Sequence, residues 1–161
     1  MKSGNPLASH VSRTVTGPMW HGPALDELLR GVSAVDAAAH PIPGAHSIWE
    51  LVLHMTAWSE IARARMKGSR LGSVTDAEDW PAGAETTDEA WAAAVTALRD
   101  SYGNLAREAG ALNAEQVAAH LPESSPPHSV GTLIHGVIEH GTYHGGQIAL
   151  LKRALRDGRA R

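Results

Sequence analysis

Three polar side chains interrupt an apolar helix seam near the C-terminal end of the chain, and this seam constrains the fold more than any other feature. Alternating gaps of three and four residues are typical of a helix packed inside a helical bundle. This spacing joins Val130, Leu133, Val137, His140, His144, Gln147, Leu151 and Ala154. A buried polar group without partners costs roughly 1–3 kcal/mol. The three polar positions therefore need a shared explanation, and a bound metal ion is the simplest one.

Apolar stripes and a helix cap predict two helices in the first half of the chain. An apolar core stripe that includes Val35 predicts a helix over residues 23–39, whereas residues 1–19 are polar and without pattern and are expected to form a loosely ordered N-terminal arm. Ser47 and Glu50 form a capping-box pattern that begins the second helix, which is expected to end near Lys67. We therefore expect the helical domain to cover residues 20–161.

The second half of the chain predicts two more helices. Thr87 begins the third, whose apolar seam reaches Ala109, and Ser129 caps the fourth, which is expected to end near Arg156. Residues 68–86 show no period and are predicted to form a long loop. A link of that length can return along the second helix and place the third helix parallel to it. The four patterns together predict an all-α, four-helix bundle.

Composition and charge exclude several classes of function. The chain has 161 residues and no cysteine, which excludes disulfides, thiolate zinc sites and a cysteine nucleophile. Its net charge is −3 and no long basic stripe is present, so a nucleic-acid partner is not expected. The sequence shows neither the apolar core of a signal peptide nor a run of about 18 apolar residues, so we expect no membrane partner and a cytoplasmic location.

Three histidines can converge on one ion. His140 and His144 lie about 40° apart around a helix axis, on one face, because they are four residues apart. His54 occupies a seam position of the second helix and can face them across the bundle. Three imidazoles and one open position are the ligand set of a catalytic zinc centre. A single core histidine is more often a hydrogen-bonded packing residue, so the prediction depends on all three.

Other polar residues near these histidines leave alternatives open. Gln147 could hydrogen-bond a ligand imidazole, or it could be a core amide bonded to a neighbouring helix. Glu50 could support the site or act as a general base, although its place in the capping box is the favoured explanation. Gly141 and Gly145 could allow close helix packing or leave room for a substrate. No catalytic residue is identified from the sequence.

The residues around the histidines resemble those of the DinB/YfiT-like family of metalloenzymes. The resemblance runs from about Trp20 to Leu151 and is carried by the stretch from Ser47 to Trp58 and by the motif His140-x-x-Tyr-His144-x-Gly-Gln147. It implies a four-helix bundle in up-down-down-up order, with a long crossover between helices two and three. It also implies that His54, His140 and His144 bind a divalent metal, commonly zinc or nickel, and that the protein is a homodimer.

The same resemblance indicates which function to expect. Some relatives transfer or isomerise small-molecule substrates with an external low-molecular-weight thiol. We therefore expect a divalent-metal-dependent enzyme of the hydrolase or thiol S-transferase type. Two alternatives remain: a non-catalytic metal- or small-ligand-binding helical module, and a metal-free dimeric helical protein.

Overall fold

The fold is all-α over the residues described by the computed structural model, which are 6–83, 85–122 and 127–159. Those residues form eight helices and no β-strand. The helices are α1 (Pro6–Thr16), α2 (Leu25–Leu29), α3 (Ala34–Ala38), α4 (Ile48–Met66), α5 (Asp76–Asp79), α6 (Asp88–Ala111), α7 (Ala114–Ala118) and α8 (Val130–Arg159). None of the described helices is both long and apolar enough to span a bilayer.

Helix α1 corrects the expectation of a loosely ordered arm over residues 1–19. Residues 6–16 are helical, while residues 1–5 lie outside the described residues. Leu7, Val11 and Val15 are spaced four apart, lie on one face and join the core shared with the other helices. The stripe occupies only three turns and is surrounded by Ser, Thr and Arg, which is why its pattern is weak in the sequence.

The single helix expected over residues 23–39 is also wrong, because two short helices occupy this stretch. Gly31 has φ of +73°, a left-handed conformation that ends α2. Ser33 then caps α3 by accepting a hydrogen bond from the Asp36 amide at 3.2 Å. The break resets the helical phase, so Val35, expected in the core, is exposed while Ala37 is buried.

Four long helices, α1, α4, α6 and α8, supply most of the core. Helices α1 and α4 each pack against both α6 and α8. Trp49 and Trp91, at the N-terminal ends of α4 and α6, have ring centroids 5.3 Å apart. Arg63 and Glu108, near the opposite ends of the same helices, form an ion pair at 2.7 Å. Helices α4 and α6 therefore run parallel, as a returning link between them requires.

The predicted starts of α4, α6 and α8 are confirmed. Ser47, Thr87 and Ser129 each accept a backbone hydrogen bond from the residue three positions later. The segment expected to be a loop over residues 68–86 contains the short helix α5, which the sequence pattern did not predict. Thr75 and Glu78 form its capping box, and Arg70 holds the Glu78 carboxylate through two hydrogen bonds of 2.7 and 2.9 Å. Hydrogen bonds from His54 and Trp58 to Asp79, and from Arg65 to the Gly72 carbonyl, attach this segment to α4.

Candidate metal centre

Helices α4 and α8 bring the three predicted histidines into the interior. His54 lies two turns inside α4 and His144 in the middle of α8, and each is only 5% exposed. His140, one turn before His144, is partly buried. The backbone of α8 lies close to its neighbours here because Gly141 and Gly145 have no side chain. A Cβ atom on Gly141 would lie 2.7 Å from Thr14, and one on Gly145 would lie 3.3 Å from Leu28.

The imidazole nitrogens of the three histidines meet at one point. The Nε2 atom of His140 lies 2.9 Å from Nε2 of His54 and 2.9 Å from Nε2 of His144. The potential ligand atoms of all three residues lie within 4.8 Å of one another. The arrangement that the sequence predicted from two separate helices is therefore present, and it is compatible with a divalent metal.

The outer nitrogens of two of these rings are held by hydrogen bonds. His54 donates from Nδ1 to the backbone carbonyl of Asp79 at 2.6 Å. His144 donates from Nδ1 to the side-chain carbonyl of Gln147, also at 2.6 Å. In the neutral rings, both Nε2 atoms consequently carry lone pairs that point towards His140. This is the tautomer that metal-binding histidines adopt when their other nitrogen is hydrogen-bonded.

The donor set fits a cation better than it fits a hydrogen-bonded histidine cluster. His140 Nε2 faces two acceptor nitrogens but can donate only one proton, so at least one of these two nitrogens receives no hydrogen bond from it. Its Nδ1 atom is buried and has no hydrogen-bond partner within the described part of the chain. A buried polar cluster that is only partly satisfied is costly, and a divalent ion accepting all three lone pairs removes the conflict.

Burial keeps the rings of His140 and His144 neutral. Removal from water, together with the neighbouring imidazoles of His144 and His54, lowers the pKa of His140 to about 4. Burial also lowers the pKa of His144. Neutral imidazole is the form that binds a metal ion, so these two residues are ready to do so at neutral pH.

Asp79 and Trp80, from the segment predicted to be a loop, complete the surroundings of His54. The Trp80 ring stacks on the His54 imidazole with centroids 3.9 Å apart and on His46 with centroids 3.6 Å apart. The Asp79 carboxylate accepts a hydrogen bond from Trp58 Nε1 at 2.6 Å and has one oxygen 3.3 Å from His54 Nδ1. No sequence pattern marks Asp79 as part of the site, because it lies in a segment without helical period.

A cavity of about 870 Å³ adjoins this cluster. His54 and His140 form part of its wall, and Asp79 is the one acidic residue that lines it among the described residues. The apolar part of the wall includes Trp58, Leu133 and Val137. A cavity of this size matches the pockets that bind small molecules.

The two other candidates from the sequence, Glu50 and Gln147, occupy different places. The Glu50 carboxylate accepts hydrogen bonds from the Ser47 amide at 2.6 Å and from His40 at 3.0 Å, which confirms its capping-box role. None of its hydrogen bonds among the described residues reaches the three imidazoles. His135, Glu139 and Tyr143 are exposed on α8. The Gln147 hydrogen bond to His144 matches the supporting role considered for it.

Comparisons with known proteins identify a family for the chain. No curated protein and no solved structure matches the chain. The family model of the DinB superfamily matches residues 20–148, a range that contains all three histidines but not α1. Because this match covers most of the chain, it defines the family. The chain belongs to the DinB superfamily.

Proposed function

We propose that this protein is a divalent-metal-dependent enzyme in which His54, His140 and His144 bind the ion. The observation that carries the proposal is the convergence of three Nε2 atoms beside a large cavity. Three imidazole nitrogens suit zinc or nickel, and three protein ligands leave a position for a water molecule or a substrate. The reaction class is hydrolysis or transfer of an external low-molecular-weight thiol.

The residues around the ligands have distinct tasks in this proposal. The Asp79 carbonyl and the Gln147 side chain hold His54 and His144 in the tautomer that presents Nε2. A bound divalent ion would supply a Lewis acid and lower the pKa of a coordinated water or thiol. Trp58 and Val137 restrict water on one side of the cavity.

Asp79 is the proposed general base. Its carboxylate lines the cavity, and one of its oxygens accepts a hydrogen bond from Trp58 while the other has no hydrogen bond to a described residue. The free oxygen can therefore accept a proton from a nucleophile in the cavity. The hydrogen bond from the Trp58 indole also keeps this carboxylate in one orientation, which favours proton transfer from a bound nucleophile.

A non-catalytic metal- or small-ligand-binding module is the alternative. A structural metal site normally has four protein ligands and no access for a substrate. The group of three histidines has no fourth metal-binding side chain among the described residues, and it faces a cavity. Both observations favour the enzymatic proposal.

Two further expectations belong to the same proposal. We infer that α1, α4, α6 and α8 are the four helices of an up-down-down-up bundle, with the segment containing α5 as the crossover. Homodimer formation is proposed from the family resemblance, and light scattering after size-exclusion chromatography would test it.

Metal analysis tests the metal site. Purified protein should contain close to one divalent ion per chain, and His144→Ala should lose it while remaining helical by circular dichroism. His135→Ala is the matched control, because His135 lies on the same helix but is exposed. Equal metal content in the two variants, or no metal in the unmodified protein after loading with zinc or nickel, would refute the site.

Activity screening tests the catalytic part. Metal-loaded protein should turn over at least one substrate in a panel of thiol-transfer and hydrolysis reactions, and Asp79→Asn should lower kcat with little change in metal content. The asparagine retains the backbone carbonyl that holds His54 but cannot accept a proton at neutral pH. Full metal occupancy without turnover across the panel would favour the binding module.

A further inference from the structure

Arg65 presents a guanidinium group to the cavity beside the histidine cluster. It lies in the last turns of α4, and it is half-buried in the cavity wall. Its guanidinium carbon lies 5.8 Å from the centroid of the Trp58 ring, and its Nη2 atom donates to the Gly72 carbonyl at 3.1 Å. These contacts hold the side chain in one place while leaving most of its N–H donors without a hydrogen bond to the described residues.

The charge of Arg65 is not neutralised by a carboxylate of the described residues. Nearby cations differ in this respect: Arg63 pairs with Glu60 and Glu108, and Arg70 pairs with Glu78. The Asp79 carboxylate, on the same cavity wall, is not within ion-pair distance of Arg65. A half-buried guanidinium without an anion is costly, so its position next to a cavity indicates that a ligand supplies the anion.

The other residues that line the cavity indicate the chemical character of the rest of that ligand. Trp58, Leu121, Leu133 and Val137 present apolar surface, and the volume suits a molecule of more than a few heavy atoms. Apart from the ion proposed above, Arg65 is the one uncompensated cation that lines the cavity among the described residues. A single guanidinium pairs with a monoanion, whereas a dianion such as a phosphate monoester would need a second cation at this end of the cavity.

We propose that Arg65 binds the carboxylate of a small organic acid whose apolar body lies against Trp58, Leu133 and Val137. Guanidinium and carboxylate groups form paired, charge-assisted hydrogen bonds, which gives the contact geometric specificity. The opposite end of the acid would face His54 and His140. This inference rests on the proposed function, since it names the substrate class of the same site.

The test compares a carboxylate with its uncharged analogue. A series of phenylalkanoic acids, with 4-phenylbutyrate as the middle member, is titrated into the protein by calorimetry, and 4-phenylbutanamide and phenyl phosphate are titrated in parallel. We expect 4-phenylbutyrate to bind more tightly than the other two. Arg65→Gln should weaken carboxylate binding at least about tenfold and leave amide binding unchanged, while Arg65→Lys should retain part of the affinity.

Arg107→Gln is the control for the net change of charge, because Arg107 is exposed on α6 and does not line the cavity. Equal carboxylate affinity in Arg65→Gln and the unmodified protein would overturn the proposal, as would preferential binding of phenyl phosphate or no binding of any acid at millimolar concentration. Titrations before and after metal removal separate the two proposals. Arg65-dependent binding without metal supports the acid site alone, whereas full metal occupancy without Arg65 dependence refutes only the acid site.

Discussion

Substituting Gly141 by alanine should lower the free energy of unfolding, although alanine is the better helix former. A Cβ atom at this position would lie 2.7 Å from Cγ2 of Thr14 and 2.8 Å from Oη of Tyr102. Both neighbours are buried, so neither can move away freely. Gly146, five residues later on the same helix, is exposed and has open space around the corresponding point.

The two substitutions should therefore have opposite signs. Alanine gains about 1 kcal/mol over glycine in a helix interior. At Gly146 this gain should appear nearly in full. At Gly141 it is opposed by overpacking, which typically costs about 1–3 kcal/mol, and two contacts under 3.0 Å place the expected cost towards the upper part of that range. The net expectation is a loss of about 1–2 kcal/mol.

Urea denaturation of metal-free protein measures the difference, because a bound ion would add its own stabilisation. In a chain of this length, the two variants should differ in melting temperature by several degrees. Gly141→Ala should also bind zinc more weakly, since Gly141 lies between His140 and His144 and a displaced backbone misaligns both rings. Equal stabilisation by the two substitutions would refute the reasoning about close packing.

Two further perturbations test the hydrogen bonds and ion pairs. Gln147→Leu removes the acceptor of His144 Nδ1 and should weaken zinc binding about 10–100-fold in a competitive chelator titration. Gln147→Glu keeps an acceptor and should bind zinc nearly normally. Equal zinc affinities of the two variants would contradict a supporting role for Gln147. Hydrogen bonds from Arg63, and next from Lys67, hold the pKa of Glu108 below its usual value. As pH falls below about 4.5, the unfolded chain therefore binds more protons at this residue than the folded chain does, and the free energy of unfolding decreases. Glu108→Gln should reduce the unfolding free energy at pH 7 and show a smaller loss between pH 7 and pH 3, and an unchanged pH dependence in urea titrations would contradict the pairing.

Long periodic segments and side chains carried by them were predictable from the sequence. The α6 seam is buried at each predicted position from Trp91 to Ala109, and α4 begins and ends where its cap and Gly68 indicated. His54, His140 and His144 were found because helical spacing fixes which side chains share a face. Because an α-helix is regular, the position of a residue in the sequence fixes the direction of its side chain around the helix axis. These directions are what identify candidate metal ligands.

The short elements were not predictable in the same way. Helix α1 depends on three buried residues, and α2 and α3 are separated by a single left-handed glycine that shifts the phase of the pattern. A helix of five residues cannot show a period of 3.6 clearly, so its direction is set by caps and by tertiary contacts. The expected core position of Val35 failed for this reason.

The hydrogen bond that orients His54 illustrates a more general limit. Its acceptor is the backbone carbonyl of Asp79, which any residue type could supply, so no side chain in the sequence marks it. What determines its position is the α5 capping box, the Arg70–Glu78 ion pair and the stacking of Trp80 on the imidazole. The two long helices thus supply the atoms that would contact an ion, while the segment between α4 and α6 sets the tautomer of one ligand. Substitution of Trp80 or Glu78 should therefore alter metal affinity without touching a ligand, and a search for ligand side chains alone would overlook both.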